Sequence, residues 1–329
     1  MKFSLSTEQR DFADSLRGML ANANTPAVVR SWGGNDTASG LALLQQLAET
    51  GVTALAVPEE FDGIGAHPAD LAVAFIELGR AAVPGPILET AAAVPALLSA
   101  LDDQQLAKRF LPGIAEGASL ASLVLEPSTP RALDGDIADP VLRVSGDTLE
   151  LVRATTQLES VDPARRLFEV ESVETLAQGA DVAAAAEKAY DLAVLAASAQ
   201  LIGAGHAMIE TATEYAKNRS QFGRVIGSFQ AIKHHLSDAL VAVEMATPLV
   251  YGAAISIAEG SDTIARDVSA AKVAAANAAY VASRKALQVH GAIGYTLECD
   301  LSLWLTKTRA LQSAWGTASA HRARIASAL

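Results

Sequence analysis

The sequence predicts a mainly α fold in three parts: a helical N-terminal domain over residues 1–117, a reduced middle β-domain over 118–182, and a C-terminal antiparallel four-helix bundle over 183–329. Three observations predict it. About a fifth of the 329 residues are alanine and only 5% are aromatic, a composition that favours close-packed helices over sheets. A short central stretch falls into brief apolar runs separated by Pro, Gly and Asp, the pattern of strands. Beyond it, apolar residues recur at helical spacing almost to residue 329.

Element by element, Ser6 or Thr7 can cap a first helix whose Phe12, Leu16 and Leu20 share a face. A second helix is expected over 38–50, ended by Gly51. Pro58, Gly63, Gly65 and Pro68 mark a loop, followed by a helix over 68–82 that Pro84, Gly85 and Pro86 stop. A further helix runs to Ala100, and a short one covers 103–110 before Pro112 and Gly113. In the middle part, the runs ASLVLE, VLRVSG and LELVRA read as strands, and about 60 residues leave room for only a few. Four long helices follow, at 183–219, 228–259, 262–290 and 300 to the end, and their short connections give antiparallel neighbours.

The charge balance of 25 basic against 37 acidic residues gives −12 with no basic run, which argues against nucleic acid or an anionic membrane as partner. No 18 uninterrupted apolar residues occur, so no membrane span is expected. The start MKFSLSTEQRDF carries charge where a secretory signal needs an apolar segment, and the lone Cys299 fits a reducing cytoplasm. Gly-rich phosphate loops, Gly-x-Ser-x-Gly and Glu-x-x-His pairs are missing. The six histidines form no metal-ligand pattern, so no metal is expected.

What remains is two polar breaks in the bundle. In the first, NRSQFGRVIGSFQ, Arg219 closes one helix and Gln230 opens the next. An Arg beside free N–H groups at a helix start suits a diphosphate, with Phe222 and Phe229 able to cover a base or ribose. A plain helix–helix turn explains it equally well. In the second, LQVHGAIGYTLECD, Gln288 and His290 lead into Gly291, where the missing side chain admits a ligand or simply caps the helix.

Together the breaks resemble the acyl-CoA dehydrogenase family. Its Arg-x-x-Phe-Gly…Phe-Gln signature is matched by Arg219, Phe222, Gly223, Phe229 and Gln230, preceded by Tyr215. Its Gln-x-x-Gly-Gly-x-Gly signature is matched by Gln288, Gly291 and Gly294, with Ala292 at the second glycine. Val57-Pro58-Glu59-Glu60, Glu77-Leu78-Gly79-Arg80 and Pro84-Gly85-Pro86 agree in the N-terminal half. The resemblance implies FAD at a subunit interface. Arg219, Gln221, Phe222, Phe229, Gln230, Gln288, His290 and Gly291 would then touch the ADP half of a neighbour's FAD, while a Glu takes the α-proton of an acyl-CoA.

The departures from the family are as informative as the match. The three positions where relatives carry the catalytic Glu correspond to Trp315, Ala193 and Gln200, none of which is a base. The flavin-ring stretch becomes Leu125-Glu126-Pro127-Ser128-Thr129-Pro130, and the family's Trp of the middle domain is missing. What serves the chain's own active site is lost, and what reaches a neighbour's FAD is kept. The resemblance therefore implies a subunit of a heteromeric α2β2 acyl-CoA dehydrogenase without a catalytic residue of its own. The same resemblance implies a second, Glu-bearing subunit as partner and extends to a steroid-derived acyl-CoA as substrate. Two alternatives stand beside it: a homo-oligomer with its base moved to Glu244 or Glu298, and a helical scaffold that has lost FAD.

Overall fold

The computed structural model describes residues 4–328. Helix α1 (Thr7–Asn22) starts at Ser6, whose hydroxyl accepts from the Gln9 N–H while the Gln9 side chain accepts from the Ser6 N–H, a reciprocal cap. Helix α2 (Thr25–Gly33), with Pro26 in its first turn, has no counterpart among the sequence-based elements, because nine residues show too short a period to read. Next come α3 (Ala38–Glu49), which turns off at Gly51 with φ +84°, and α4 (Pro68–Arg80). A π-helical turn, Glu89–Ala93, leads into α5 (Val94–Ser99). Helix α6 (Gln105–Ala115) runs through Pro112 instead of stopping before it. There the proline costs one backbone bond near the helix end, while Leu111, Ile114 and Ala115 bury the final turn.

The middle part is a five-stranded sheet of β1 (Ser122–Leu125), β2 (Ala132–Leu133), β3 (Val141–Ser145), β4 (Thr148–Leu158) and β5 (Leu167–Gln178). Their order is β1-β3-β4-β5-β2, with β1 and β3 parallel and the other pairs antiparallel. Strand β5 went unread in the sequence, since its Glu169, Glu171 and Glu174 and its mostly exposed face blur the alternation.

The rest is helical: α7 (Ala180–Asn218), a small hairpin of β6 (Ser220–Gln221) and β7 (Arg224–Val225), α8 (Gln230–Ala258), α9 (Ile264–His290), α10 (Leu301–Leu311) and α11 (Ala318–Ser327). The continuous fourth helix expected from residue 300 onward is instead two helices with a turn at 312–317 between them. Helix α7 is 39 residues, about 58 Å, and forms the central axis of the core. It meets α4 backbone to backbone, because a Cβ on Gly203 would come within 1.8 Å of the Ile76 carbonyl and one on Gly79 within 2.1 Å of the Gln200 carbonyl. Both α7 and α8 are long and apolar enough to span a bilayer by composition, but the apolar window of α7 is 89% buried in the protein itself. That of α8 is only 33% buried, leaving Leu240, Val241, Met245 and Leu249 exposed along its length.

Candidate functional site

The first polar break is built as a hairpin. Arg219 leaves the helical conformation at the end of α7, and its carbonyl accepts from the Ile226 N–H at 2.8 Å, closing the loop. The two central residues of the hairpin, Phe222 at φ +53° and Gly223 at φ +78°, both lie in the left-handed region, the geometry of a type I′ turn. Glycine adopts it freely; a phenylalanine pays for it in strain. Even so, Phe222 is 91% exposed and meets Phe229 edge-on at a centroid distance of 6.3 Å. Arg224 covers the other ring from 4.1 Å. Helix α8 then begins at Gln230 without any side-chain cap, and Arg219 and Gln221 of the same break are exposed.

The second break ends α9 at Gly291, whose φ of +67° and ψ of −140° are accessible to glycine alone. No atom lies within 4 Å of where a Cβ would stand. Gln288 is exposed just before it, and Ile293, Tyr295 and Leu297 are exposed just after. His290 is placed differently from its neighbours. It is buried, its Nδ1 lies 2.9 Å from the Ala286 carbonyl, and its ring stacks on Tyr215 at 4.4 Å. It ties the end of α9 to the end of α7 and so fixes the spacing of the two breaks. Of the other expected residues, Arg219, Gln221, Phe222 and Gln230 are exposed on the first break and Gln288 on the second, while Phe229 and Gly291 are half-buried.

The turn at 312–317 is the reverse. Trp315 is completely buried with φ +56°, followed by Gly316 at φ +97°. The Trp315 carbonyl accepts from Tyr190 Oη at 3.2 Å and from His321 Nε2 at 2.8 Å. Lys272 Nζ donates to the carbonyls of Ala314 at 2.6 Å and Gly316 at 3.2 Å. Burial, helped by Arg165, brings the Lys272 ammonium down to about 7. Burial and the neighbouring Lys272 push His321 down to about 4, so the ring is neutral, Nε2 carries the proton, and Nδ1 accepts from Ser269 Oγ at 3.1 Å. A Cβ on Gly316 would collide with Tyr190 Oη at 2.5 Å.

Beside this turn lies a cavity of about 320 Å³, walled by residues 128–131 and 159–161, Arg165, Ser313 and Ala314, with Glu89 at its base. Sequence reasoning missed Glu89 and Arg165; only a carboxylate inside an apolar helix start, ILETAAA, hinted at the first. Burial raises the Glu89 carboxyl above the ordinary range. The indole N–H of Trp315 faces it without closing a hydrogen bond, leaving Nε1 and Oε2 both unpartnered among the described residues. Ala193 and Gln200 are buried in α7. Glu244 is exposed, 4.0 Å from His206, and Glu298 is exposed; neither lines this cavity. Among the described residues no three His, Cys, Asp or Glu side chains converge as metal ligands.

Helical layers around a small central sheet, with two outward glycine breaks in the long C-terminal helices, define the acyl-CoA dehydrogenase fold. The family's N-terminal domain matches residues 6–118 and its C-terminal domain residues 179–329. The chain is 35% identical to acyl-CoA dehydrogenase IpdE2 of Mycobacterium tuberculosis, over 91% of this chain and 90% of that one. It is likewise 35% identical to IpdE2 of Mycolicibacterium smegmatis, over 92% and 93%. Among solved structures, butyryl-CoA dehydrogenase from Megasphaera elsdenii superposes with a TM-score of 0.84 at 20% identity, covering 100% and 99% of the two chains. The ChsE4-ChsE5 complex from Mycobacterium tuberculosis superposes at 0.85 and 21% identity, covering 99% and 98%. The chain belongs to the acyl-CoA dehydrogenase family, whose members are FAD-dependent oxidoreductases.

The residues present fit the nucleotide half of FAD: an uncapped helix start, a free guanidinium, and a glycine with open space over it. They fit the flavin ring poorly. The wall at 125–130 lacks the family's Gly-Ser-Asp, and the three tryptophans are Trp32, Trp304 and Trp315, none in the middle sheet.

Proposed function

We propose that this chain is the non-catalytic subunit of a heteromeric FAD-dependent acyl-CoA dehydrogenase. It contributes Arg219, Gln221, Phe222, Phe229, Gln230, Gln288 and Gly291 to the ADP half of an FAD whose ring and catalytic Glu belong to a second, dissimilar subunit. His290 acts behind them as a positioning residue. In this reading residues 1–117, 118–182 and 183–329 are the three domains, and the assembly is a cytoplasmic α2β2 heterotetramer that desaturates an acyl-CoA at its α,β bond.

One observation carries the reading. Phe222 is held in a strained conformation at a hairpin tip and left 91% exposed, a doubly unfavourable placement unless another molecule covers it. The exposed apolar side of α8 and Tyr295 and Leu297 of the second break offer further surface for the same partner. Trp315, Ala193 and Gln200 support the absence of a base, as losing one typically costs 10²–10⁴ in rate. A bulky, ring-bearing acyl group is consistent with the relatives, one of which is the Tcur3481-Tcur3483 steroid ACAD, superposing at a TM-score of 0.81 with 20% identity.

The test is co-purification of the tagged chain from its native host, with mass spectrometry of what accompanies it. The reading expects a second acyl-CoA dehydrogenase-like chain in equal amount and one FAD per unlike pair. A homo-oligomer with one FAD per chain would contradict it.

A further inference from the structure

The cavity beside Trp315 is a built site that the proposed function leaves without an occupant. Arg165 is 9% exposed, lines the cavity, and its guanidinium donates to no acceptor among the described residues. Glu89 is 1% exposed at the cavity base, with Oε2 unpartnered. Thr129 Oγ1 on the opposite wall is also buried and unpartnered. Two buried polar atoms without partners, beside an unpaired guanidinium on the same cavity, are uncommon, because each buried one costs free energy that a native fold normally avoids. A ligand that pairs with all three removes that cost.

The chemistry of the three selects the ligand. A guanidinium presents a planar fork that matches a carboxylate. Burial raises the Glu89 carboxyl above the ordinary range, and in its protonated form it donates to the second carboxylate oxygen where an ionised Glu would repel it. Arg165 is the positive charge acting most strongly on Glu89, and it also disfavours the charged forms of the buried Lys272 and Lys307 side chains. Asp162, buried close to Lys307, offsets part of it, and Arg131 and Glu159 at the rim balance each other. One guanidinium is too little for a phosphate dianion. Leu133, Leu167 and Ala310 supply an apolar wall for the body of the molecule. We infer that this cavity binds the carboxylate of an apolar, ring-sized organic acid, held by Arg165 and by the Glu89 carboxyl, with Thr129 as an additional contact. The inference rests on the proposed function in one respect: the chain's own cavity must be free of a flavin ring.

The test is isothermal titration of the full chain, in its co-purified assembly, with 2-naphthoate and with its neutral isostere 2-naphthamide. The inference expects naphthoate to bind about tenfold or more tightly than the amide, the usual worth of a charge-assisted pair. Arg165→Met should abolish that preference and leave amide binding unchanged within about twofold. Arg165→Lys, which keeps the charge without the fork, should fall between, and Glu89→Gln should stay within about threefold of the parent. Equal binding of the two probes, or binding of neither, overturns the inference while the assembly keeps its one FAD per unlike pair. If instead FMN fills this chain's cavity and colours it yellow, both the inference and the proposed function fail. The ratio of the two probes on the unaltered protein decides the matter even where a variant does not fold.

Discussion

Two interruptions of the C-terminal helices are made of opposite materials. At 219–230 the guanidinium, amide and aromatic side chains face outward, the next helix starts uncapped, and a phenylalanine is strained and bare. At 312–317 every carbonyl of the Ala314-Trp315-Gly316 turn is held by Tyr190, Lys272 or His321, and the side chain at its centre is fully buried. Each contains a positive-φ aromatic followed by glycine. The strain at the second is compensated inside the chain; at the first, no hydrogen bond or burial of the Phe222 side chain compensates it among the described residues. The lesson is that a break serving the fold closes on itself, and one serving a neighbour stays open.

The contrast can be broken in four ways. Trp315→Ala empties the closed turn and should cost about 3–5 kcal/mol in chemical denaturation, as for other buried tryptophans, with the FAD content of folded assembly unchanged. Acid should loosen the same turn. His321 is pushed down to about 4 from an unfolded value near 6.5, so the unfolded chain binds a proton that the folded chain refuses between those pH values. Stability is therefore lost as pH falls from about 6.5 to 4, by up to about 3 kcal/mol, and His321→Gln should flatten that stretch of the stability–pH curve. At the open break, Arg219→Ala should weaken FAD retention by about tenfold or more, read as flavin absorbance after gel filtration, with less than about 0.5 kcal/mol change in the stability of the chain itself. Smallest of all, Trp315→Phe should leave the rate of substrate proton abstraction nearly unchanged in stopped-flow traces of flavin reduction. A large slowing with FAD fully bound would count against the assignment of the base to the partner.

The fold was legible where the physics is local. Five helices of the N-terminal part, the three named strands and the long helices announce themselves through apolar period and through breakers such as Gly51 and Gly291. Helix α2 and strand β5 escape because tertiary contact, not pattern, decides them. The split of the last helix was invisible since Trp315 and Gly316 read as helix-compatible until Lys272, Tyr190 and His321, distant in sequence, are brought to their carbonyls. At the candidate site, residue types and spacing pointed to Arg219, Phe222, Gln230 and Gln288, and these are exposed together. His290, expected from its place beside a glycine, has a second role that no local pattern announces, since its stack on Tyr215 joins helices far apart in sequence. Glu89 and Arg165 lie 76 residues apart in sequence, and no local motif joins them.

The central claim is that the grip on the nucleotide and the chemistry on the substrate reside in different polypeptides. Its most direct measurement is the visible spectrum of the chain produced alone, against that of the chain produced with its partner. The account predicts no flavin absorbance and no acyl-CoA desaturation from the lone chain, and a yellow, active protein from the pair. A lone chain that carries stoichiometric flavin and desaturates an acyl-CoA thioester would contradict it.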